Sequence, residues 1–527
     1  MTSVEIQQVN FSIWRVHPTK VLLFSGAICC LFCNTKISAD TPPPNILFAI
    51  SDDQSWMHAG AYGDRATATP AFDQVAREGV LFQRAFAAAP SCAPSRSALL
   101  LGRNIWEIGE AGVLFGVLRP ISPAFTQLLR KAGYQLGSTG KTWGPGRITG
   151  WQRREGQQDS SSPSSTELLF GKRYDQRQQS QPQPGINPND YAANFAEFLR
   201  ERNPSQPFFF WYGATEPHQR YNEGAWEKAG KQLQDARLPG CLPDHPITRG
   251  EILDYGLEIE HFDRHLGRML QMLKDAGELD NTLVVVTSDH GNPLPRSKCN
   301  LYDSGTRVPL AIRLPGVIPS GRQVNDFVNL IDLAPTLIDA AQAKVPGEMS
   351  GKSLWSILTS DQSGQIDPER KFVVTAMERH IISRRGYVGY PMRCLRTSEF
   401  SYIRNAEPDR WPAGDPDYFS IHQGFYGDCD RGASKRFLLQ NAERPEVRPF
   451  FQLAFGRRPA EELYDMRQDP HQLKNLAQNS QFAEIKLKLA TQLNEYLRQH
   501  DDPRQRGEAP WDNYRFTDER VYSNENP

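Results

Sequence analysis

Two kinds of apolar pattern alternate along the first two thirds of this chain. Residues 45–50 (NILFAI) are apolar apart from the first and stop at Ser51-Asp52-Asp53. An unbroken run of that length predicts a strand buried on both faces, as in a parallel sheet. Residues 282–287 (TLVVVT) repeat the pattern and stop at Ser288-Asp289-His290-Gly291. Residues 135–139 and 208–212 read as two more buried strands. Gly140-Lys141 follows the first, and Glu216-Pro217-His218 comes soon after the second. Helical signals fall between the strands. Thr69-Pro70 predicts a capped helix to about Glu78, and Ser122-Pro123 repeats the device before residues 125–131. Between residues 249 and 276, Ile252, Tyr255, Ile259, Phe262, Leu266, Met269 and Leu273 recur at spacings of three and four. That spacing predicts one long amphipathic helix.

Strands alternating with helices predict an α/β fold, its sheet covered on both faces. Ligands of such sheets bind beyond the carboxyl ends of the strands, where Asp52, Asp53, Asp289 and His290 stand. After about Gly351 the pattern changes to short strand-like runs such as 372–375 and 402–404, separated by Gly and Pro. These predict a smaller C-terminal α+β domain carrying an antiparallel sheet. The expected organisation is a catalytic domain over 40–350, a C-terminal subdomain over 351–500 and a loosely packed polar tail over 501–527. A Gln-, Ser- and Pro-rich stretch, 152–190, reads as a surface insertion.

Composition narrows the partners. Lys plus Arg is 60 and Asp plus Glu is 61 in 527 residues, so nothing points to nucleic acid and anion recognition must be local. Arg15 and Lys20 precede an apolar segment, 21–33, and Ile37-Ser38-Ala39 offers small residues before Asp40. Residues 1–39 therefore read as a signal peptide, too short in its apolar part for a stable membrane span, and predict a secreted or periplasmic protein. Three of the eight cysteines fall in that segment. Apart from Cys92, the remainder (Cys241, Cys299, Cys394 and Cys429) allow three disulfide pairings, and the sequence selects none.

The candidate chemistry centres on Cys92-Ala93-Pro94-Ser95-Arg96, ahead of a helix-prone stretch. A helix start concentrates unpaired N–H groups and attracts anions, and Arg96 adds a charge one turn in. Three carboxylates and an imidazole at two strand ends suit a divalent cation that prefers oxygen, calcium more than magnesium.

The run from Cys92 to Arg96, completed by Leu101-Gly102-Arg103, resembles the formylglycine motif of the sulfatase family. The resemblance extends from Asn45 to about His500. It implies an alkaline phosphatase-like fold, a large mixed, mostly parallel sheet sandwiched by helices. It also implies that a formylglycine-generating enzyme oxidises Cys92 to an aldehyde, whose hydrate attacks sulfur. By the same resemblance Asp52, Asp53, Asp289, His290 and the modified Cys92 hold one calcium ion. Lys141, His218 and Lys298 match sulfate-contacting positions, and His218 or Lys298 would protonate the leaving group. The implied substrate is a sulfated sugar or glycosaminoglycan carrying sulfate esters or N-sulfate groups. Within the family the chain is similar to the heparan N-sulfatase branch, on Asp289–Pro295, Asn300-Leu301-Tyr302 and Tyr390-Pro391-Met392-Arg393. Glu378, Arg379, His380 and Arg393 are the expected sugar contacts.

One position departs from the pattern. Many sulfatases carry His two residues after the glycine-lysine pair, where this chain has Trp143. Tryptophan accepts no proton, so either another base serves, for which His380 and His265 are the candidates, or the position has a different role. Two alternatives follow from the same residues. A phosphatase or phosphonate hydrolase of this architecture would use Ser or Thr and two zinc ions, and Trp143 leans towards a catalytically silent sulfated-glycan-binding protein.

Overall fold

Strand β1 (Asn45–Ser51) is buried along its whole length because two cores claim its alternate side chains. Ile46, Phe48 and Ile50 pack with Phe209, Trp211, Leu283 and Val285. Leu47 and Ala49 pack on the other side with Phe208, Phe210, Tyr212, Val284 and Val286. Successive side chains of a strand point to opposite faces; with both faces covered, no polar alternation survives. Each large apolar side chain so buried contributes roughly 1.5–3 kcal/mol.

The computed structural model describes residues 42–150 and 164–525. The segment read as a signal peptide lies outside them. Beside β1 stand β2 (Val80–Phe82), β3 (Gln135–Gly140), β4 (Lys172–Arg173), β5 (Phe208–Gly213), β6 (Thr282–Ser288), β7 (Leu310–Arg313) and β8 (Arg322–Val324). They form one sheet in the order β8-β2-β7-β6-β1-β5-β3-β4. Only β7 runs against its neighbours, so the sheet is mixed and mostly parallel.

Helices close both faces. α1 (Pro70–Glu78) starts at the expected proline, but Thr69 does not cap it with its side chain. The N–H groups of Ala71 and Phe72 donate instead to Asp263, at 2.9 and 2.8 Å. α2 (Cys92–Leu101) is buried throughout and ends at Gly102 in the left-handed region. α3 (Pro246–Asp275) carries Phe262, Leu266, Met269 and Leu273 against the second core.

The C-terminal sheet is antiparallel, in the order β9 (Phe372–Met377), β10 (Met392–Thr397), β11 (Phe400–Asn405), β12 (Glu461–Asp465). α4 (Ala433–Gln440) lies in the β11–β12 connection, and α5 (Ala483–Gln499) follows β12. Val374, Leu395, Tyr402 and Leu463 share a core with β1 and with Leu489, Leu493 and Leu497 of α5.

Two expectations change. The stretch 152–190 is not featureless. From Ser164 it holds a capped helix, Ser165–Phe170, that buries Leu169 and Phe170, and then edge strand β4. The tail beyond residue 500 is not loose, because Trp511, Phe516 and Val521 are buried and Asp502 accepts from Arg393 at 2.8 Å. Two aromatic rings and one valine anchor a segment that is polar on average. Cys241, Cys299, Cys394 and Cys429 are free and buried. Among the described residues no helix is long and apolar enough to cross a membrane.

Candidate active site

β1 and β6 pair in register from Asn45↔Thr282 to Ser51↔Ser288. The chain therefore leaves both strands at one level, with Asp52-Asp53 beside Asp289-His290. Asp289 Oδ1 accepts from the N–H of Asp53 at 3.0 Å and from that of His290 at 2.9 Å. Asp53 has φ +71°, a left-handed conformation that a non-glycine residue adopts only when its surroundings impose it. Tyr255 of α3 supplies part of that constraint. Its hydroxyl donates to Asp53 O at 3.0 Å and accepts from Ser55 N at 2.9 Å. Gly140 ends β3 opposite Gly213 of β5 with φ +72°, and a Cβ there would lie 2.1 Å from Gly213 O. Only glycine turns the chain at that point and delivers Lys141.

Cys92 is the first residue of α2, and its thiol stands 3.4 Å from His290 Nε2 and 3.9 Å from Asp53 Oδ1. Ser91, before it, directs its hydroxyl to His380 Nδ1 at 2.8 Å rather than capping the helix. One turn on, Arg96 is completely enclosed. It donates to Asp289 at 2.9 Å, to Asp52 at 3.1 Å, and to the carbonyls of Lys141 and Thr142. The anions that Arg96 meets are thus the two strand-end carboxylates, which it holds in place.

Lys141 Nζ lies 2.6 Å from both oxygens of Asp52. Lys298 bridges Asp53 at 2.8 Å and Asp430 at 3.0 Å. His218 directs Nε2 towards Asp53 at 3.9 Å, with Nδ1 on Gln219 O at 2.7 Å. Burial raises the Asp289 carboxyl, but Arg96, His290 and Lys141 outweigh it and hold Asp289 well below the usual range. For Asp53, Lys298, His290 and His218 likewise overcome burial. Asp52 goes the other way. Burial, with Asp289 and Asp53 adjacent, lifts it despite Lys141 and Arg96.

These residues fit a divalent cation. Ligand atoms of Asp53, Cys92, Asp289 and His290 lie within 4.8 Å of one another, as do those of Asp52, Asp53, Cys92 and His218. Three buried carboxylates gather about Cys92, and with the imidazoles they make a hard-cation donor set. His290 Nδ1 faces Gly291 O at 3.0 Å. Nε2 lies 3.0 Å from Asp53 Oδ1, and Asp289 and Asp53 together hold the ring protonated despite its burial; a cation bound there would take the place of the Nε2 proton.

The site opens on one side. Lys141 and His218 are partly exposed, and with Asp52, Glu216, Gln219 and Arg220 they line a hollow of about 330 Å³. Beside Cys92 the wall is apolar: Ile381, Ile382 and Phe516, with Trp143 against them. Trp143 Nε1 donates to Ser97 of α2 at 2.7 Å, tying the Gly140–Gly144 loop to the helix that Cys92 opens.

The candidate imidazoles separate. His380 is buried near Cys92, and burial, reinforced by Lys298 and His290, pushes it down to about 4. His265 does not join the site. Its ring nitrogens meet Gln179 and the N–H of Ala192, and it packs on Tyr191. Glu378 and Arg393 pair with each other at 2.7 Å and also with Arg504 and Asp502. Arg379 differs from them. It is buried, its Nε and Nη2 have no hydrogen-bond partner among the described residues, and it lies 5.8 Å from the Phe516 ring centre. Asp430 and Tyr255 are site residues that sequence reasoning missed. Asp430 lies in an aperiodic connection, and Tyr255 looks like one more apolar position of α3.

A family model described as Sulfatase matches residues 44–343. Human N-sulphoglucosamine sulphohydrolase is 27% identical over 515 residues, covering 90% of this chain and 94% of that protein. An ulvan-active sulfatase of Formosa agariphila is 26% identical over 522 residues, covering 90% and 81%. A solved structure described as a complex with its substrate D-glucosamine-2-N,6-O-disulfate superposes with TM-score 0.62 at 19% identity, covering 87% of this chain and 98% of that one. A phosphonate monoester hydrolase of Agrobacterium radiobacter superposes with TM-score 0.59 at 19% identity, covering 87% and 96%. These last two show a shared fold.

Proposed function

The chain belongs to the sulfatase family and is a sulfuric ester hydrolase, and on that premise we propose that it removes sulfate from a sulfated sugar or glycosaminoglycan, as ester or N-sulfate, with Cys92 as the nucleophile's precursor. One observation carries the reading. Cys92 opens a buried helix within reach of three strand-end carboxylates, and two lysines and two histidines surround them. The names of the relatives, which act on sulfated sugars, support the substrate class.

Oxidised to formylglycine by a formylglycine-generating enzyme and hydrated, Cys92 supplies the hydroxyl that attacks sulfur. Asp52, Asp53, Asp289, His290 and the modified side chain would hold a calcium ion, which would supply positive charge against the sulfate oxygens. Arg96 sets the spacing of Asp52 and Asp289. Lys141, Lys298 and His218 face the position where negative charge develops, and His218, the most exposed, protonates the leaving group. His380, reaching Ser91 next to Cys92, is the proton acceptor that Trp143 cannot be. Arg379, the buried guanidinium without a carboxylate, contacts the sugar's anionic substituent. Residues 1–39 direct the protein to the periplasm or out of the cell. A two-ion phosphatase is disfavoured, because it would use Ser or Thr where this chain has Cys92, followed by Pro94 and Arg96.

The test is Cys92→Ala, together with mass spectrometry of the Cys92 peptide from a host that makes formylglycine. The expected results are loss of sulfate release with unchanged unfolding, and a peptide about 18 Da lighter. An unmodified thiol, or a Cys92→Ala protein that still releases sulfate, overturns the reading.

A further inference from the structure

The hollow at Lys141 and His218 is not a closed end. Lys141 and Thr215 also line a neighbouring hollow of about 400 Å³ that runs past Trp143 and Arg173. Gln219 and Arg220 also line a third cavity, of about 820 Å³, between α3 and α4. A sulfate group needs a fraction of that space. The third cavity alone has the size of a complete small-molecule site.

Its chemistry is selective. The acids on its wall are already engaged: Glu251 accepts from the N–H groups of Ala433 and Ser434, Asp254 from those of Gly224 and Trp226, and Glu223 pairs with Arg436. Lys435 turns inward onto three carbonyls. Among the described residues neither Arg220 nor Arg431 has a carboxylate within ion-pair distance, so two guanidiniums on the cavity wall are left for an incoming anion. Trp226 and the half-exposed Phe425 provide flat apolar faces. On the wall of the middle hollow two buried oxygens have no hydrogen-bond partner among the described residues, Glu258 Oε1 and Gln219 Oε1, and Gln219 also lines the cavity. Glu258 lines the middle hollow and is almost wholly buried.

We propose that the three hollows form one groove for a sulfated oligosaccharide, and that the cavity between α3 and α4 binds a neighbouring anionic sugar residue. Arg220 and Arg431 take its sulfate or carboxylate, Trp226 and Phe425 take its ring, and Gln219 and Glu258 pair with hydroxyls at the junction. Guanidinium forks match such oxyanions. The identity of the central group rests on the sulfatase reading above.

Binding and turnover separate the two ideas. Calorimetric titration of Cys92→Ala protein compares D-glucosamine-2-N,6-O-disulfate with a heparin-derived and an ulvan-derived sulfated tetrasaccharide. The expected result is that at least one tetrasaccharide binds about tenfold tighter than the monosaccharide. Adding Arg431→Gln or Trp226→Ala should each cost about tenfold of that affinity, the loss of one charge-assisted or stacking contact. Tetrasaccharides that bind no tighter than the monosaccharide, or variants that leave their affinity unchanged, overturn the proposal. Sulfate release by unmutated protein is read in parallel. Release without any gain from chain length keeps the sulfatase reading and loses the groove. Tight, Arg431-dependent tetrasaccharide binding without release keeps the groove and loses the reading.

Discussion

Replacing Arg96 by lysine keeps the charge and removes the geometry. The guanidinium reaches Asp289, Asp52 and two loop carbonyls from one plane. An ammonium on a shorter reach cannot span both carboxylates. Each charge-assisted hydrogen bond lost costs roughly 1.5–3 kcal/mol, and a buried carboxylate left without its partner costs about 3–5 kcal/mol. The expected destabilisation is about 3–5 kcal/mol at pH 7. At roughly 2.1 cal/mol/K per residue, a chain of 527 residues has an unfolding entropy of about 1.1 kcal/mol/K. Arg96→Lys should therefore lower Tm by about 3–5 °C, as read by calorimetry. Asp52 and Asp289 would also move relative to Cys92, and misplacement of that kind costs about a hundredfold in kcat. A variant whose Tm stays within a degree of the unmutated protein, with kcat unchanged, would refute the view that Arg96 spaces the two carboxylates.

Three further outcomes follow from the site. Asp430→Asn removes the second carboxylate from buried Lys298; kcat should fall more than tenfold while calcium affinity holds, and equal activity would show that Asp430 is only a structural neighbour. Calcium at a hundred times its Kd should stabilise the fold by about 2.7 kcal/mol and so raise Tm by 2–3 °C over the chelated protein; Asp53→Asn should abolish the difference, and a Tm indifferent to chelation would count against the cation. Burial beside Glu216 and Asp254 pushes the Glu258 carboxyl up to about 9. Between an ordinary glutamate's value and about 9 the folded chain holds a proton that the unfolded chain releases, so Glu258 makes stability fall as pH rises. Urea unfolding at pH 5 and pH 8.5 should show a smaller loss in Glu258→Gln than in the unmutated protein; equal slopes would refute the assignment.

Much of the site was legible because the signals were local. The runs at 45–50 and 282–287 needed only their lack of alternation to be read as doubly buried strands. Their terminal acids needed only the general placement of ligands at the carboxyl ends of parallel strands. The spacing along α3 was sufficient for a long helix. Cys92, Pro94 and Arg96 sit within five residues of one another.

What escaped depends on contacts across long stretches of chain. Asp430 reaches Lys298 over 132 positions, from a connection with no periodic pattern. His380 and His265 were equivalent as sequence. Only packing puts one beside Ser91 and the other under Tyr191. Glu378 and Arg393 read as sugar contacts, but the tail supplies Arg504 and Asp502 to pair with them. The tail itself looked unstructured because its charge outnumbers Trp511, Phe516 and Val521, the three side chains that anchor it.

The sequence by itself determined the strand and helix periods, the acids at the strand ends and the nucleophile motif, since each is set by neighbours within a few residues. Only the tertiary structure decided which charges cancel, which histidine stands near Cys92 and which hollows adjoin Lys141 and His218. Those depend on burial and on the distance between residues far apart in the chain, and the energy of a charge is set by its surroundings.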